Sequence, residues 1–261
     1  MKKILLLVLI GTATIFSQEF KEELLVHQND TLPYRILLPK NYNSQKSYPL
    51  LIFLHGAGER GNDNKSQLVH GSFLFKSKDF RENYPAIVVF PQCPLKSYWA
   101  SVKRKTEVPL NKKYVFRKIL GKNRQLEMVE LLMETLEKNY MINPNRRYIG
   151  GLSMGGMGTF ELVARNPDYF AAAFPICGGG NPVWSNLIKT TPLWIFHGED
   201  DDVVLDNFSR KMYEALSKEK ASVRLTIYPE VKHSSWDNAF AEADLMHWLF
   251  SINVENSLNY K

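Results

Sequence analysis

The 261-residue chain predicts an open α/β sheet, mostly parallel, with helices on both faces. Three observations point there. Short apolar runs recur without polar alternation, as strands buried on both faces require. Helical patterns with apolar residues at 3.6 spacing lie between the runs. The segments after the runs are rich in Gly and His, and that carboxyl edge is where open α/β sheets bind ligands.

Composition permits this fold. Apolar residues make up 44%, aromatics 12% and charged residues 23%, which is ordinary globular usage and argues against disordered, collagen-like or coiled-coil chains. A chain of this size buries roughly 70–75% of its unfolded surface and needs no disulfide or metal staple. The formal net charge is +6. Such a balance hints at nucleic acid, membrane surfaces or acidic ligands until the charges are placed.

The elements follow in order. Lys2 and Lys3 precede an apolar run, Ile4–Ile10, and small residues lead to Ser17-Gln18. Two cations, a short apolar stretch and a small-residue exit predict a signal peptide over residues 1–17, hence a secreted or periplasmic protein. The run is shorter than the 18 or more residues of a membrane span. The remainder, 18–261, reads as a single domain without repeats or low-complexity linkers. Phe20–Val26 and Tyr34–Leu38 form two early strands around the polar turn Gln28-Asn29-Asp30. Pro49–Leu54, Ala86–Phe90, Arg147–Gly150, Ala171–Ile176, Leu193–Phe196 and Val223–Tyr228 are the buried strands. Helices are expected at Arg124–Tyr140, Gly156–Arg165, Asp206–Lys218 and Trp236–Phe250.

Two glycine motifs compete for the function. Gly56-Ala57-Gly58-Glu59-Arg60-Gly61 matches the dinucleotide pattern G-x-G-x-x-G after a strand. Its context fails. The polar Asn62-Asp63-Asn64 follows instead of a helix, and Asp79 and Glu82 precede the next strand rather than ending it. Gly151-Leu152-Ser153-Met154-Gly155 matches G-x-S-x-G, with a strand before it and a small-residue helix after it. That is the setting of a nucleophile elbow, where large neighbours would crowd a tight turn.

An activated serine needs a base, an acid and an oxyanion hole, with acid and base following the serine in that order. His197, His233 and His247 follow Ser153. His247 falls inside an amphipathic helix, and His197 ends a strand beside an acidic cluster that it is expected to support. His233 lies in the loop after the last strand and is the expected base. The acid should follow Leu193–Phe196, where Glu199, Asp200, Asp201 and Asp202 are adjacent and spacing does not choose. Met154 N–H and Ala57 N–H are the expected oxyanion donors, each contributing roughly 2.7–4 kcal/mol to the transition state. The two cysteines and the absence of His-Glu-x-x-His from the sequence leave no zinc motif, and the chemistry needs no cofactor.

Taken together, Leu54–Gly61, Pro91-Gln92-Cys93-Pro94, Gly151–Gly156, His197-Gly198 with its acids, and His233 with Trp236 resemble one group. It is the secreted α/β-hydrolase esterases of the feruloyl and acetyl-xylan type, close to polyhydroxybutyrate depolymerase-like and dienelactone hydrolase-like proteins. The resemblance runs from about Leu32 to Phe250. It implies the α/β-hydrolase fold and an ester-bearing small molecule or polysaccharide as substrate. It also implies Asp201 as the acid, three residues after the Gly of His-Gly-x-x-Asp, and Trp99 near the active-site mouth, stacking on a sugar or phenolic ring. Ser234 stands where the group often has Asp after the base. The implied strand order puts two strands between those ending at Cys93 and Cys177. Three steps of about 4.8 Å separate the cysteines by about 14 Å. A disulfide needs Cα atoms within about 7 Å, so no pairing is expected. A serine peptidase is the alternative enzyme, and a non-catalytic carbohydrate-binding relative is the alternative outside enzymes.

The charge then becomes local. Residues 96–124 hold ten Lys or Arg and one acid, Glu107. This basic insertion leaves the strand end that carries Pro91-Gln92-Cys93-Pro94, close in chain to Trp99. It predicts a basic rim around Lys103, Arg104 and Lys105 for acidic glycans, rather than a nucleic-acid or membrane partner.

Overall fold

The computed structural model describes residues 19–109 and 113–257. The expected signal peptide lies outside them. The strands are β1 (Lys21–His27), β2 (Asp30–Leu37), β3 (Tyr48–Leu54), β4 (Ile87–Pro91), β5 (Val102–Arg104), β6 (Tyr114–Phe116), β7 (Ile142–Leu152), β8 (Ala172–Ile176), β9 (Leu193–Gly198) and β10 (Val223–Tyr228). The helices are α1 (Ser72–Lys76), α2 (Lys78–Asn83), α3 (Arg124–Asn139), α4 (Met154–Arg165), α5 (Ser185–Ile188), α6 (Asn207–Lys218), α7 (Trp236–Phe240), α8 (Leu245–Ser251) and α9 (Val254–Ser257).

Eight strands form one sheet in the order β1-β2-β4-β3-β7-β8-β9-β10. From β4 to β10 neighbouring strands run parallel, and β1 and β2 add an antiparallel edge. The apolar runs are continuous because both faces are covered. In β3, Leu50, Ile52 and Leu54 pack with Val129, Leu132 and Met157 on one side. Leu51 and Phe53 pack with Phe75, Phe240 and Trp248 on the other. The strand order puts β3 and β7 between β4 and β8, and Cys93 and Cys177 are buried and unpaired. No helix among the described residues is long and apolar enough to cross a membrane.

Three expectations change. The helix expected over Trp236–Phe250 is two, because residues 241–244, with the polar Glu242 and Asp244, form a turn between α7 and α8. β7 is longer than Arg147–Gly150. It begins at Ile142, and its irregular register against β3 carries Asn143, Pro144, Asn145 and Arg146. The basic segment contains a two-stranded hairpin, β5–β6, outside the main sheet.

Candidate active site

The carboxyl ends of β3, β7, β8, β9 and β10 converge. β7 delivers Ser153 to a turn with φ 53° and ψ −113°, a conformation that costs a non-glycine residue energy and persists only when its surroundings enforce it. The enforcement is visible. Ser153 N–H donates to Ile176 O at 2.9 Å, and α4 begins at the next residue. A Cβ on Gly155 would lie 1.9 Å from Leu54 O, so only glycine lets α4 seat against β3 at this point. α4 starts two residues earlier than its sequence pattern suggested, which puts the Met154 N–H in its first turn. First-turn amides lack intrahelical acceptors.

His233 comes from the loop after β10. Ser153 Oγ donates to His233 Nε2 at 2.9 Å, and His233 Nδ1 donates to Asp201 Oδ2 at 2.7 Å. Gly198 makes room for this loop, because a Cβ there would meet Val231 O and Lys232 O at 2.3 Å. Burial separates Asp201 from the neighbouring acids, which spacing does not. Asp201 is 2% exposed, whereas Glu199, Asp200 and Asp202 are exposed. Its Oδ1 accepts from Val203 and Val204 N–H, each at 2.9 Å, and its Oδ2 accepts from His197 Nε2 at 3.1 Å as well as from His233. Burial alone would raise its pKa. The donors His197 and His233 outweigh that and hold the carboxyl well below the usual carboxylate range. His197 thus braces Asp201, and His247 is exposed on α8.

The Gly56–Gly61 segment forms a single 3₁₀ turn, Ala57–Glu59, rather than the opening of a nucleotide-binding helix. Gln92 clamps this loop. Its amide donates to Asp63 at 2.7 Å and Glu59 O at 3.2 Å, while its carbonyl accepts from Asn64 N–H at 2.8 Å. The Pro91-Gln92-Cys93 segment thereby holds the Glu59–Asn64 stretch in place. Ala57 lines a cavity of about 380 Å³ together with Ser153 and His233.

Trp99 departs from its expected place. The ring is wholly buried, 5.4 Å edge-on from His55, and its Cβ fills the space that Gly158 of α4 leaves open. It cannot stack on a substrate there. The aromatic groups at the cavity are Tyr98, Tyr114 and Trp236. Trp236 meets His233 edge-on at 5.5 Å, and His70 packs on Trp236 at 5.0 Å. The basic rim also shifts. Arg104 lines the cavity with Lys113, whereas Lys103 and Lys105 line other clefts.

Cys177 Sγ, an Asp201 carboxylate oxygen and a His233 ring nitrogen lie within 4.8 Å of one another. Burial pushes the thiol pKa up and keeps it protonated, and Asp201 and His233 are already hydrogen-bonded to each other. A protonated thiol beside a carboxylate and imidazole already engaged with each other does not make a metal ligand set.

Known proteins resemble the chain along most of its length. It is 28% identical over 164 residues to the bifunctional acetylxylan esterase/xylanase XynS20E of Neocallimastix patriciarum, covering 62% of this chain and 20% of that protein. A thermostable esterase structure superposes with TM-score 0.81 at 34% identity, covering 92% of this chain and 64% of that one. The chain thus spans about a fifth of the first protein and under two thirds of the second. A ferulic acid esterase from Anaeromyces mucronatus, solved with ferulic acid, shares the fold at TM-score 0.63 and 16% identity, covering 85% of this chain and 88% of that one. A family model described as putative esterase matches residues 27–240, and the chain belongs to that esterase family, with the α/β-hydrolase fold its relatives share.

Proposed function

We propose that the protein is a secreted serine carboxylic-ester hydrolase, with a signal peptide over residues 1–17 and one α/β-hydrolase domain over 18–261. The observation that carries the reading is the continuous relay from Ser153 Oγ through His233 to Asp201, with links of 2.9 and 2.7 Å. His233 Nε2 takes the Ser153 proton as Oγ attacks the ester carbonyl. Asp201 fixes the tautomer by accepting from Nδ1 and stabilises the imidazolium that forms. The Ala57 and Met154 N–H groups receive the oxyanion, and the alcohol leaves with the proton from His233. Water then attacks the acyl-enzyme by the same route in reverse. The relatives' names favour acyl or feruloyl esters of plant-type polysaccharides as substrates.

Reaction with a fluorophosphonate probe tests the nucleophile. Wild type should label and Ser153→Ala should not, with at least a thousandfold loss of aryl acetate hydrolysis. Normal turnover by Ser153→Ala would overturn the assignment. Asp201→Asn should cost on the order of ten-thousandfold in kcat, the loss a wrong imidazole tautomer causes in serine proteases. Asp200→Asn and Asp202→Asn should stay within about threefold, as exposed substitutions do. Acetylated and feruloylated xylan fragments, compared with peptides, separate esterase from peptidase.

A further inference from the structure

The active-site cavity has a charged wall that the relay does not use. Arg104 ends β5 directly opposite Tyr114 of β6, and Lys113 precedes that tyrosine. The pleat sends Arg104 to the face opposite that of Lys103. The Arg104 guanidinium sits 5.1 Å over the Tyr98 ring, and Lys113 Nζ sits 5.5 Å over the Tyr114 ring. Each cation is therefore held over an aromatic ring, which limits the freedom it must lose on binding. Arg124 of the same segment is paired with Asp30, but among the described residues neither Arg104 nor Lys113 meets a carboxylate within 4.0 Å. Among the described residues, the one acid on the cavity wall, Glu59, lies 3.7 Å from His70.

The hairpin is fixed at its base. Glu161, wholly buried in α4, accepts from Ser101 N–H at 2.5 Å and Ser101 Oγ at 2.7 Å. Arg165, one turn on, donates to Gly121 O, and Asn181 donates to Phe116 O at 3.1 Å. The helix that positions Ser153 thus also positions the two cations.

We propose that this site selects esters whose acyl or alcohol half carries a carboxylate, such as a uronate, and that Arg104 and Lys113 are the residues that recognise it. The guanidinium fork and the ammonium offer complementary donors to two carboxylate oxygens. The inference rests on reading the same cavity as an ester-hydrolysing site.

Matched ester pairs test it. Para-acetoxybenzoate and para-acetoxybenzamide differ only by the charge on the alcohol half. The para-nitrophenyl esters of para-carboxybenzoic and para-carbamoylbenzoic acid differ only on the acyl half. The readout is the kcat/KM ratio of charged over neutral ester. In Arg104→Gln/Lys113→Gln this ratio should fall about tenfold in at least one pair, as two partly exposed charge contacts allow. In wild type it should also fall as salt rises from about 0.05 to 0.5 M. Lys138→Gln/Lys218→Gln removes the same charge from exposed sites just before β7 and β10, on the opposite edge of the sheet, and should leave the ratio unchanged. An unchanged ratio in the cavity variant, or an equal fall in the remote one, overturns the inference. Hydrolysis of every ester no faster than by Ser153→Ala overturns the esterase reading instead.

Discussion

His197 Nε2 lies 3.1 Å from Asp201 Oδ2, the same oxygen that His233 Nδ1 meets at 2.7 Å. Both His197 and Asp201 are buried, and His197 Nδ1 is tied in turn to Ser209 Oγ at 2.7 Å. Asp201 is therefore held by His197 from the side away from Ser153. His197 Nε2 faces two acceptors, Asp201 and Val204 O at 2.8 Å, so it carries the proton and donates.

Replacing His197 by Phe keeps a ring in the space but removes the donor. A hydrogen bond to a charged group contributes about 1.5–3 kcal/mol, so kcat should fall roughly tenfold to a hundredfold. KM should move less, because His197 does not line the cavity. His197→Gln, whose amide can still donate, should recover much of the loss. Failure of Gln to outperform Phe in stopped-flow turnover would reduce His197 to a packing residue.

What the sequence left hidden has physical reasons. The turn that carries Ser153 and the loop that carries His233 are legible in the sequence because a strand, a tight turn and a strand-end loop are local patterns. Spacing does not separate Asp201 from Asp200 and Asp202, and only the resemblance points to it; its burial, which sets it apart in the structure, depends on how β9 and β10 dock. The place of Trp99 rests on resemblance alone, and no local pattern shows that its ring turns inward against His55 and Gly158. Arg104 was hidden among Lys103 and Lys105 until the β5–β6 register showed which of them faces the cavity. A three-residue strand carries too few residues for a period-two pattern to emerge from the sequence.

Trp99 and its neighbour Tyr98 should therefore behave oppositely. Trp99 is wholly buried, and Tyr98 lines the cavity under Arg104. Trp99→Ala should destabilise the fold by about 3–5 kcal/mol, the usual cost of emptying an aromatic core site. For a protein of this size that is a fall in Tm of about 10 °C. Tyr98→Ala should leave Tm within a few degrees and raise KM for aryl esters instead. A calorimetric scan with Trp99→Ala melting like wild type, joined to a raised KM, would restore it to the substrate side.

His55 gives the pH dependence its sign. Cys93 N–H donates to His55 Nε2 at 2.9 Å, so the ring proton sits on Nδ1 and is donated to Gly56 O at 2.6 Å. The ring is neutral, and burial lowers its pKa to about 4, with the Gly56 hydrogen bond acting the other way. An unfolded His titrates near 6.5, so between about 6.5 and 4 the unfolded chain binds the extra proton. The stability His55 contributes is therefore complete above about pH 6.5 and declines as pH falls toward 4. The full loss is about 3 kcal/mol, at 1.36 kcal/mol per unit. Because His55 is bonded to the Gly56 carbonyl that leads into Ala57, the first structure to loosen in acid should be the turn Ala57–Glu59. Tm measured from pH 7.5 to 4.5 should drop in wild type, and the drop should be shallower in His55→Gln, which keeps an acceptor for Cys93 N–H but has no ring to protonate. Equal slopes in the two proteins would assign the acid sensitivity to other groups.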